Sequence, residues 1–370
     1  MNNETSLYIH IPYCKSKCGY CDFCSFTDLS TKDAYTAELI RRLAGYSQKA
    51  GRVPTVYFGG GTPSVIGAKA LTGLLAAIKD RYDLCKDCEI TIEVNPGTVG
   101  KDELALLRSA GFNRLSAGIQ TSNETELKLL ARTSHTVKDG KTLVKNAREA
   151  GFDNISLDLM YGIPDQTLTS FEESVDFVCS LRPEHISSYA LKLEENTPLY
   201  KRREKLDLPD DDLCADMYLL LNEKLKEYGY QRYEISNFAK PGFESRHNLR
   251  YWEGGDYLGV GVSAASLYGD VRYLQSSDMS SFLSGKEPDT VETLDEDGKK
   301  LEYIMLHLRL AKGVCKEEFK EKFGSDFDTE YQSRIKKYGD HGFAVNTEKN
   351  FYLTEKGLLV SNAIISDFIY

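Results

Sequence analysis

The sequence predicts an α/β protein: an incomplete barrel of six β/α units followed by a small, winged-helix-like C-terminal domain. Two observations support this fold class. Short apolar runs rich in β-branched residues alternate with helical patterns six times, which is typical of a parallel sheet covered by helices. The pattern then changes after residue 275, where a polar stretch precedes further helices and a hairpin. Six consecutive units favour an incomplete barrel over a short doubly wound sheet.

The elements of the barrel follow in order along the chain. Strands are predicted where apolar and β-branched residues cluster, at residues 7–11, 55–58, 90–94, 114–119, 155–160 and 186–191. Helices are predicted at residues 31–46, 68–81, 101–109, 124–130, 138–150 and 170–181. Thr169 and Glu172 are expected to form a capping box at the start of the last of these helices. Two more strand-like runs lie at residues 230–235 and 257–265.

The domain organisation follows from a change in composition. Residues 1–275 are expected to form the core with its extension, and residues 276–295 are expected to be a linker because they are polar and contain Ser, Gly, Pro and acidic residues. Residues 296–370 are expected to form the C-terminal domain. Its predicted elements are helices near 299–309, 316–323 and 329–338, a hairpin at 342–353 and a last helix from residue 354.

Length and charge narrow the class of protein. The chain has 370 residues, an ordinary 41% of hydrophobic residues and a net charge of −10. The acidic balance argues against non-specific binding to nucleic acid or to an anionic membrane. No apolar run approaches the roughly 20 residues that a membrane span needs, and the first residues do not resemble a signal peptide. A cytoplasmic protein without an integral membrane segment is therefore expected.

Cysteines crowd the N-terminal region. Cys14, Cys18 and Cys21 follow the first predicted strand with the spacing Cys-x3-Cys-x2-Cys. Three thiolates on one short loop can hold an iron–sulfur cluster, and a zinc knuckle or structural thiols are the alternative. Cys24 is interpreted as a nearby free thiol, although it could also be a fourth ligand. Cys85–Cys88 form a lone CxxC, which more often marks exposed thiols than a metal or redox site.

Polar residues mark the ends of the next strands. The glycine-rich loop 59–63 follows the second strand and lets the backbone approach a ligand closely. Glu93 ends the third strand, Gln120 ends the fourth, and Asp158 lies in the fifth, while Arg132 precedes a loop. The ends of successive barrel strands face one mouth, so these side chains are expected to share a binding site.

Several segments together carry a family resemblance: YIHIPYCKSKCGYCDF, YFGGGTPS, IEVNP, RLSAGIQ, LDLMYGIPDQT and HNLRYW. The cysteine spacing resembles that of the radical S-adenosylmethionine superfamily. The whole set is similar to the oxygen-independent coproporphyrinogen III oxidase family, and most similar to its HemW branch, the heme chaperones. The resemblance covers essentially the whole chain.

The resemblance implies a [4Fe–4S] cluster, S-adenosylmethionine and the residues that bind them. The cluster ligands would be Cys14, Cys18 and Cys21. The S-adenosylmethionine site would be lined by Tyr8, Gly60, Gly61, Thr62 and Glu93. A further set matches positions that contact a second S-adenosylmethionine in the oxidase: Gln120, Arg132, Asp158 and Ala190.

The resemblance alone leaves two main functions open, heme chaperone and oxidase. Only Met1–Ser6 precede the first strand, so the N-terminal extension of the oxidase is expected to be absent. The segment HNLRYW favours the chaperone, which would hold heme as cargo and deliver it to respiratory heme proteins, with a homodimer plausible. The alternative is the oxidase, which converts propionate side chains to vinyl groups. A heme-degrading methyltransferase relative is a further alternative, and a DNA-binding role is disfavoured by the acidic charge.

The candidate heme residues are His247, Tyr251 and Trp252. Histidine ligates heme iron in many proteins, and the two aromatic rings offer apolar faces to a macrocycle. The competing interpretation is a packed aromatic cluster around a hydrogen-bonded core histidine. Five other histidines compete as ligands: His10, His135, His185, His307 and His341.

Overall fold

The computed structural model describes residues 4–132 and 135–369. The outer ends of the two predicted domain ranges, residues 1 and 370, lie outside the described residues, as do Thr133 and Ser134 of the loop after Arg132.

A mixed, mostly parallel sheet of twelve strands forms the centre of the molecule. The strands of the chain are β1 Ser6–Ile11, β2 Val53–Gly60, β3 Leu84–Val94, β4 Arg114–Gln120, β5 Ile155–Tyr161, β6 His185–Ala190, β7 Gln231–Arg232, β8 Asn237–Ala239, β9 Tyr257–Val260, β10 Ala265–Tyr268, β11 Val271–Leu274, β12 Asp289–Thr293, β13 Val314–Cys315, β14 Ala344–Asn346 and β15 Asn350–Leu353. The first twelve are ordered β12-β11-β10-β9-β1-β2-β3-β4-β5-β6-β8-β7. The sheet is open at both edges, as the incomplete barrel predicted.

The six predicted core strands are confirmed as neighbours in sequence order. β1 to β6 pair in parallel, and β9 adds a further parallel strand beside β1. Every residue of β4 is buried, which is characteristic of a parallel strand covered on both faces. The carboxyl ends of β1 to β6 therefore meet at one edge of the sheet, where the predicted site residues lie.

Helices cover the outside of the sheet and build the C-terminal part. They are α1 Lys32–Tyr46, α2 Ala68–Arg81, α3 Lys101–Ala110, α4 Glu124–Leu129, α5 Val137–Glu149, α6 Leu168–Ser180, α7 Asp211–Glu227, α8 Arg246–Trp252, α9 Met279–Leu283, α10 Glu296–His307, α11 Lys316–Phe323, α12 Phe327–Glu330, α13 Gln332–Asp340, α14 Glu355–Leu359 and α15 Ser361–Ile369. Leucines of α1 and α2, among them Leu39, Leu43, Leu71 and Leu75, are fully buried in the main apolar core. None of the helices in residues 4–132 and 135–369 combines the length and apolar character required to cross a bilayer.

Several details differ from the sequence-based expectations. The strand-like run predicted at 230–235 contains only the two-residue strand β7, and the run predicted at 257–265 contains β9 and only the first residue of β10. The polar segment 276–295 contains α9 and the edge strand β12, whose residues are all exposed and therefore show no hydrophobic pattern. The cap of α6 is Thr167 with Ser170, two residues before the predicted pair. The predicted helix 329–338 is two helices, α12 and α13, separated at Tyr331.

The C-terminal residues form a second, smaller core. The predicted hairpin is present as β14 and β15, and β13 completes a three-stranded antiparallel sheet. Aromatic residues from several elements fill this core, including Phe319, Phe327, Phe351 and Phe368. The division of the chain at residues 275 and 296 remains a proposal.

Candidate cluster and cofactor site

The three predicted cluster cysteines lie on one loop between β1 and α1. They line a cavity of about 890 Å³, counted with the solvent at its mouth. The loop is fixed at Gly19, whose N–H donates to Leu130 O at 2.9 Å and whose carbonyl accepts from Leu199 N–H at 2.8 Å. The structure therefore brings Cys14, Cys18 and Cys21 together.

The donor set suits a cluster better than a single ion. All three thiols are free, and the described residues contain no group of three His, Cys, Asp or Glu side chains placed around one ion. Iron–sulfur clusters are held by cysteine thiolates, so three free cysteines on one short loop fit a [4Fe–4S] group. Burial raises the pKa of the Cys14 and Cys21 thiols, so metal binding there would release protons.

The other cysteines are not part of this group. Cys24 does not line the cavity, and its thiol donates to Ser277 O at 3.8 Å. Cys85 and Cys88 are buried in β3, so the expectation that they are exposed is wrong. Burial raises the pKa of Cys88 to about 12, which makes it a poor thiolate.

The glycine-rich loop is held directly against the cysteine loop. Gly60 has φ +112°, and a Cβ there would lie 2.5 Å from the His10 ring. A Cβ on Gly61 would lie 2.8 Å from Tyr13 O, so both positions require glycine. The Thr62 hydroxyl donates to Cys14 Sγ at 3.7 Å. Gly60, Gly61 and Thr62 consequently line the same cavity as the cluster cysteines.

Two half-buried carboxyl groups, those of Glu93 and Asp158, line this cavity. Glu93 Oε1 accepts from the Tyr57 hydroxyl at 2.7 Å, and Oε2 accepts from the Gly60 N–H at 3.1 Å. Burial raises the pKa of Glu93 to about 7 and that of Asp158 to about 6. Such carboxylates can accept hydrogen bonds from an ammonium group or from ribose hydroxyls, which S-adenosylmethionine carries.

Arg132 connects strand β4 to the loop that carries the three cysteines. Its Nη1 donates to Cys18 Sγ at 3.5 Å and to the Tyr20 hydroxyl at 3.2 Å, and its Nη2 donates to Gly118 O at 2.8 Å. Gln120 lies beside it with φ 72°, an uncommon conformation that is concentrated at functional sites. The guanidinium adds positive charge next to a thiol that would become an anionic ligand.

A second cavity continues from the first. It has about 1,310 Å³, counted with open solvent, and shares Tyr20, Cys21, Glu93, Gln120 and Asp158 with the first. Ala190 lines only the second cavity, at the end of β6. Tyr8 lines neither cavity, because its hydroxyl is hydrogen-bonded to His10 Nδ1 at 3.0 Å. Of the predicted cofactor residues, Tyr8 is the one that the structure does not bring to the wall.

The HNLRYW segment forms α8, which packs against β2 below the cavity. His247 is 1% exposed and stacks on Tyr57 with ring centroids 5.0 Å apart. Its Nδ1 lies 2.7 Å from Thr55 Oγ1, and its Nε2 lies 2.8 Å from the Tyr251 hydroxyl. Burial, followed by the charge of Arg114, lowers the pKa of His247 to about 3.

The predicted heme residues are therefore not brought to the cavity. Both ring nitrogens of His247 are engaged, the Tyr251 hydroxyl is bonded to it, and the Arg309 guanidinium lies 5.7 Å from the Trp252 ring centroid. The geometry matches the competing interpretation of a packed aromatic cluster. Asn248 is the residue of this segment that lines the second cavity.

The other histidines differ in how their ring nitrogens are used. His10 and His185 have both nitrogens hydrogen-bonded to described protein groups. His307 is 1% exposed, and its Nε2 has no hydrogen-bond partner among the described residues. His135 is buried and His341 is exposed. None of the five lines either of the two cavities.

Sequence reasoning missed several residues of the cavity walls: Tyr20, Asn95, Arg114, Ser116, Ser187, Tyr189 and Asn248. One of them had a recognisable signal, because Arg114 is a charged residue that opens the otherwise apolar strand RLSAGIQ. The others are ordinary polar or aromatic residues, whose position on a cavity wall depends on the tertiary structure.

Two family models match the chain. Residues 8–178 match the Radical SAM superfamily, and residues 294–360 match the HemN C-terminal domain. Among solved structures, coproporphyrinogen III oxidase (HemN) from Escherichia coli, described as a radical SAM enzyme, superposes with a TM-score of 0.86 at 25% identity. That match covers 99% of this chain and 90% of the oxidase.

Curated relatives align over nearly the full length. The heme chaperone HemW of Lactococcus lactis is 34% identical, covering 100% of this chain and 98% of the relative. The heme chaperones HemW of Bacillus subtilis and Escherichia coli are each 36% identical, covering 98% of this chain and 99% and 98% of the relatives. By this similarity and by the matched segments, the chain belongs to the HemW family of the radical SAM superfamily.

Proposed function

We propose that this protein is a heme chaperone that carries a [4Fe–4S] cluster and binds S-adenosylmethionine. The observation that carries the proposal is the full-length similarity to proteins named heme chaperone HemW, at 34–36% identity. The geometry supports it because the cluster cysteines, the glycine-rich loop and the half-buried carboxyl groups share one cavity.

Each part of the first cavity has a role in this proposal. Cys14, Cys18 and Cys21 would hold the cluster, which together with S-adenosylmethionine would supply one-electron cleavage chemistry. The glycine-rich loop at Gly60 and the carboxylate of Glu93 would bind the cofactor's polar groups. Arg132 stabilises the anionic thiolate of Cys18 and holds the wall on the side of β4.

The second cavity is the proposed place of the heme cargo. Met160, Tyr189 and Leu191 supply apolar surface on its walls, and Phe23, which is 70% exposed, stands where both cavities open. A flat, largely apolar macrocycle buries favourably against such side chains. We propose that the protein is cytoplasmic, that it delivers heme to respiratory heme proteins, and that it does so as a homodimer.

The alternative function is that of an oxygen-independent coproporphyrinogen III oxidase. The observation in its favour is the superposition on the oxidase across 99% of this chain. The set Gln120, Arg132, Asp158 and Ala190 matches positions that contact a second S-adenosylmethionine in the oxidase, and the structure brings all four to the connected cavities.

The deciding experiment is an anaerobic hemin titration of the protein with reconstituted cluster, followed by absorbance. We expect saturation near one heme per chain and no conversion of coproporphyrinogen III to a vinyl product in the presence of S-adenosylmethionine and a reductant. Turnover of coproporphyrinogen III without saturable heme binding would replace the chaperone by the oxidase. Protein denatured and refolded without iron serves as the control for cluster-independent heme adsorption.

A further inference from the structure

Arg114 is a buried cation whose Nε lacks a hydrogen-bond partner among the described residues. It is the first residue of β4, its relative exposure is 2%, and its side chain lines the second cavity. Guanidinium groups carry five N–H donors, and buried ones are nearly always paired.

The surroundings compensate this charge only in part. Glu93 and Asp158 are close enough that the positive charge of Arg114 lowers the pKa of both carboxyl groups. Burial nevertheless keeps both pKa values raised, because it disfavours the charged form of each carboxyl group more strongly than Arg114 favours it. An isolated buried charge costs several kcal/mol, and hydrogen-bonded pairing with an anion offsets much of that cost.

A second polar group stands on the same wall. Asn248 lines the cavity with Arg114, and its side-chain amide makes no hydrogen bond to the residues that the structure describes. The backbone of Asn248 is fixed, because its N–H donates to Ser245 Oγ at 3.3 Å in the cap of α8. Two donor groups that line one cavity, one charged and one neutral, suit an anion with two acceptor oxygens.

We propose that Arg114 and Asn248 bind a carboxylate of the cargo, a propionate of heme, at the inner end of the second cavity. The inference rests on the proposed function, because it places the heme that the proposed function requires. The macrocycle then lies toward Met160, Tyr189 and Leu191, and its propionate reaches the planar guanidinium, which pairs with carboxylates through two parallel N–H···O bonds.

The test changes the ligand as well as the protein. Binding of hemin and of hemin dimethyl ester, whose propionates are esterified, is compared by absorbance titration for the wild type, Arg114→Gln and Asn248→Ala. Arg246→Gln is the matched control, since Arg246 lies on α8 but its guanidinium binds Asp87 on the outer surface. A charge-assisted hydrogen bond contributes enough that the wild type should bind hemin about 10- to 100-fold more tightly than the ester.

In the variants at Arg114 and Asn248, hemin affinity should fall towards the affinity for the ester, while the control keeps the wild-type preference. Equal binding of hemin and ester by the wild type overturns the inference and leaves the chaperone function intact. A preference that survives in both variants also overturns it. Absence of saturable binding for both ligands overturns the proposed function itself.

One more experiment identifies which ligand supplies the carboxylate that Arg114 binds, because S-adenosylmethionine also carries a carboxylate. Calorimetry measures S-adenosylmethionine binding to the reconstituted wild type and to Arg114→Gln. We expect the same affinity in both proteins. A loss of S-adenosylmethionine affinity with an unchanged preference for hemin over its ester would assign Arg114 to the cofactor and overturn the inference.

Discussion

The substitution His247→Ala tests whether this histidine is a heme ligand or part of the packing under the cavity. The Thr55 hydroxyl donates to Ser6 Oγ, so His247 donates from Nδ1 to Thr55 and accepts the Tyr251 hydroxyl at Nε2. The lone pair that iron would need is therefore already used. Alanine at this position removes both hydrogen bonds and the ring that stacks on Tyr57.

The cost of this change can be worked out from the contacts. Truncating a fully buried ring leaves a cavity, and the Tyr251 hydroxyl loses its partner. Cavity formation costs about 2–5 kcal/mol, and an unsatisfied buried polar group costs about 1–3 kcal/mol. Because Thr55 keeps its bond to Ser6, we expect a total of about 4 kcal/mol, in the lower part of the combined range.

A second signature lies in the pH dependence. His247 has a pKa of about 3 when folded, against about 6.5 in an unfolded chain. As pH falls below 6.5 the unfolded state takes up a proton that the folded state does not, so stability is complete above 6.5 and declines towards pH 3. The loss at pH 5 from His247 alone is about 2 kcal/mol.

Urea unfolding at pH 8 and pH 5 measures both effects, with the fluorescence of Trp252, the only tryptophan, as the probe. We expect His247→Ala to be less stable at pH 8 and to lose the part of the acid sensitivity that His247 contributes. His341→Ala, at an exposed position, is the matched control. The reasoning is refuted if His247→Ala unfolds like the wild type while its hemin absorbance spectrum changes.

Two further predictions concern the first cavity. Cys18→Ser should lose the iron–sulfur absorption after anaerobic reconstitution, whereas Cys88→Ser, in the buried part of β3, should retain it; a cluster in the first variant would contradict the ligand assignment. Gly60→Ala should weaken S-adenosylmethionine binding in calorimetry by about tenfold or more, because the new Cβ meets the His10 ring at 2.5 Å in a left-handed backbone. Gly45→Ala, with no atom within 4 Å, should bind normally.

The sequence predicts the fold well where apolar patterns are strong. The six core strands are all found, since each is a buried run bounded by turn residues, as in β4 with its seven buried positions. Prediction fails where burial is one-sided or absent. The strand β12 has only exposed residues, so nothing in its hydrophobic pattern distinguishes it from a linker.

The site is predictable to the extent that chemistry depends on local spacing. The cysteine loop and the glycine-rich loop are short motifs, and the structure places them in contact through Thr62 and Cys14. The position of the Tyr8 side chain could not be predicted in this way. Its hydroxyl is hydrogen-bonded to His10, two residues farther along the strand, and does not reach the cavity. Arg114 and Asn248 come from distant segments, and their shared cavity appears only in the folded chain.

The HNLRYW segment combines a structural and a recognition role on one short helix. His247 and Tyr251 are four residues apart, so they lie on the same face of α8, and that face packs against β2. Asn248 is the residue after His247, so it lies on a different face of the helix, and it lines the second cavity. Under our proposal, the segment governs heme binding without supplying the iron ligand, because the packed face fixes the helix that presents the Asn248 amide. Loss of heme affinity in a His247 variant consequently identifies a ligand only if the helix remains folded, which is why stability and hemin spectra must be measured on the same preparation.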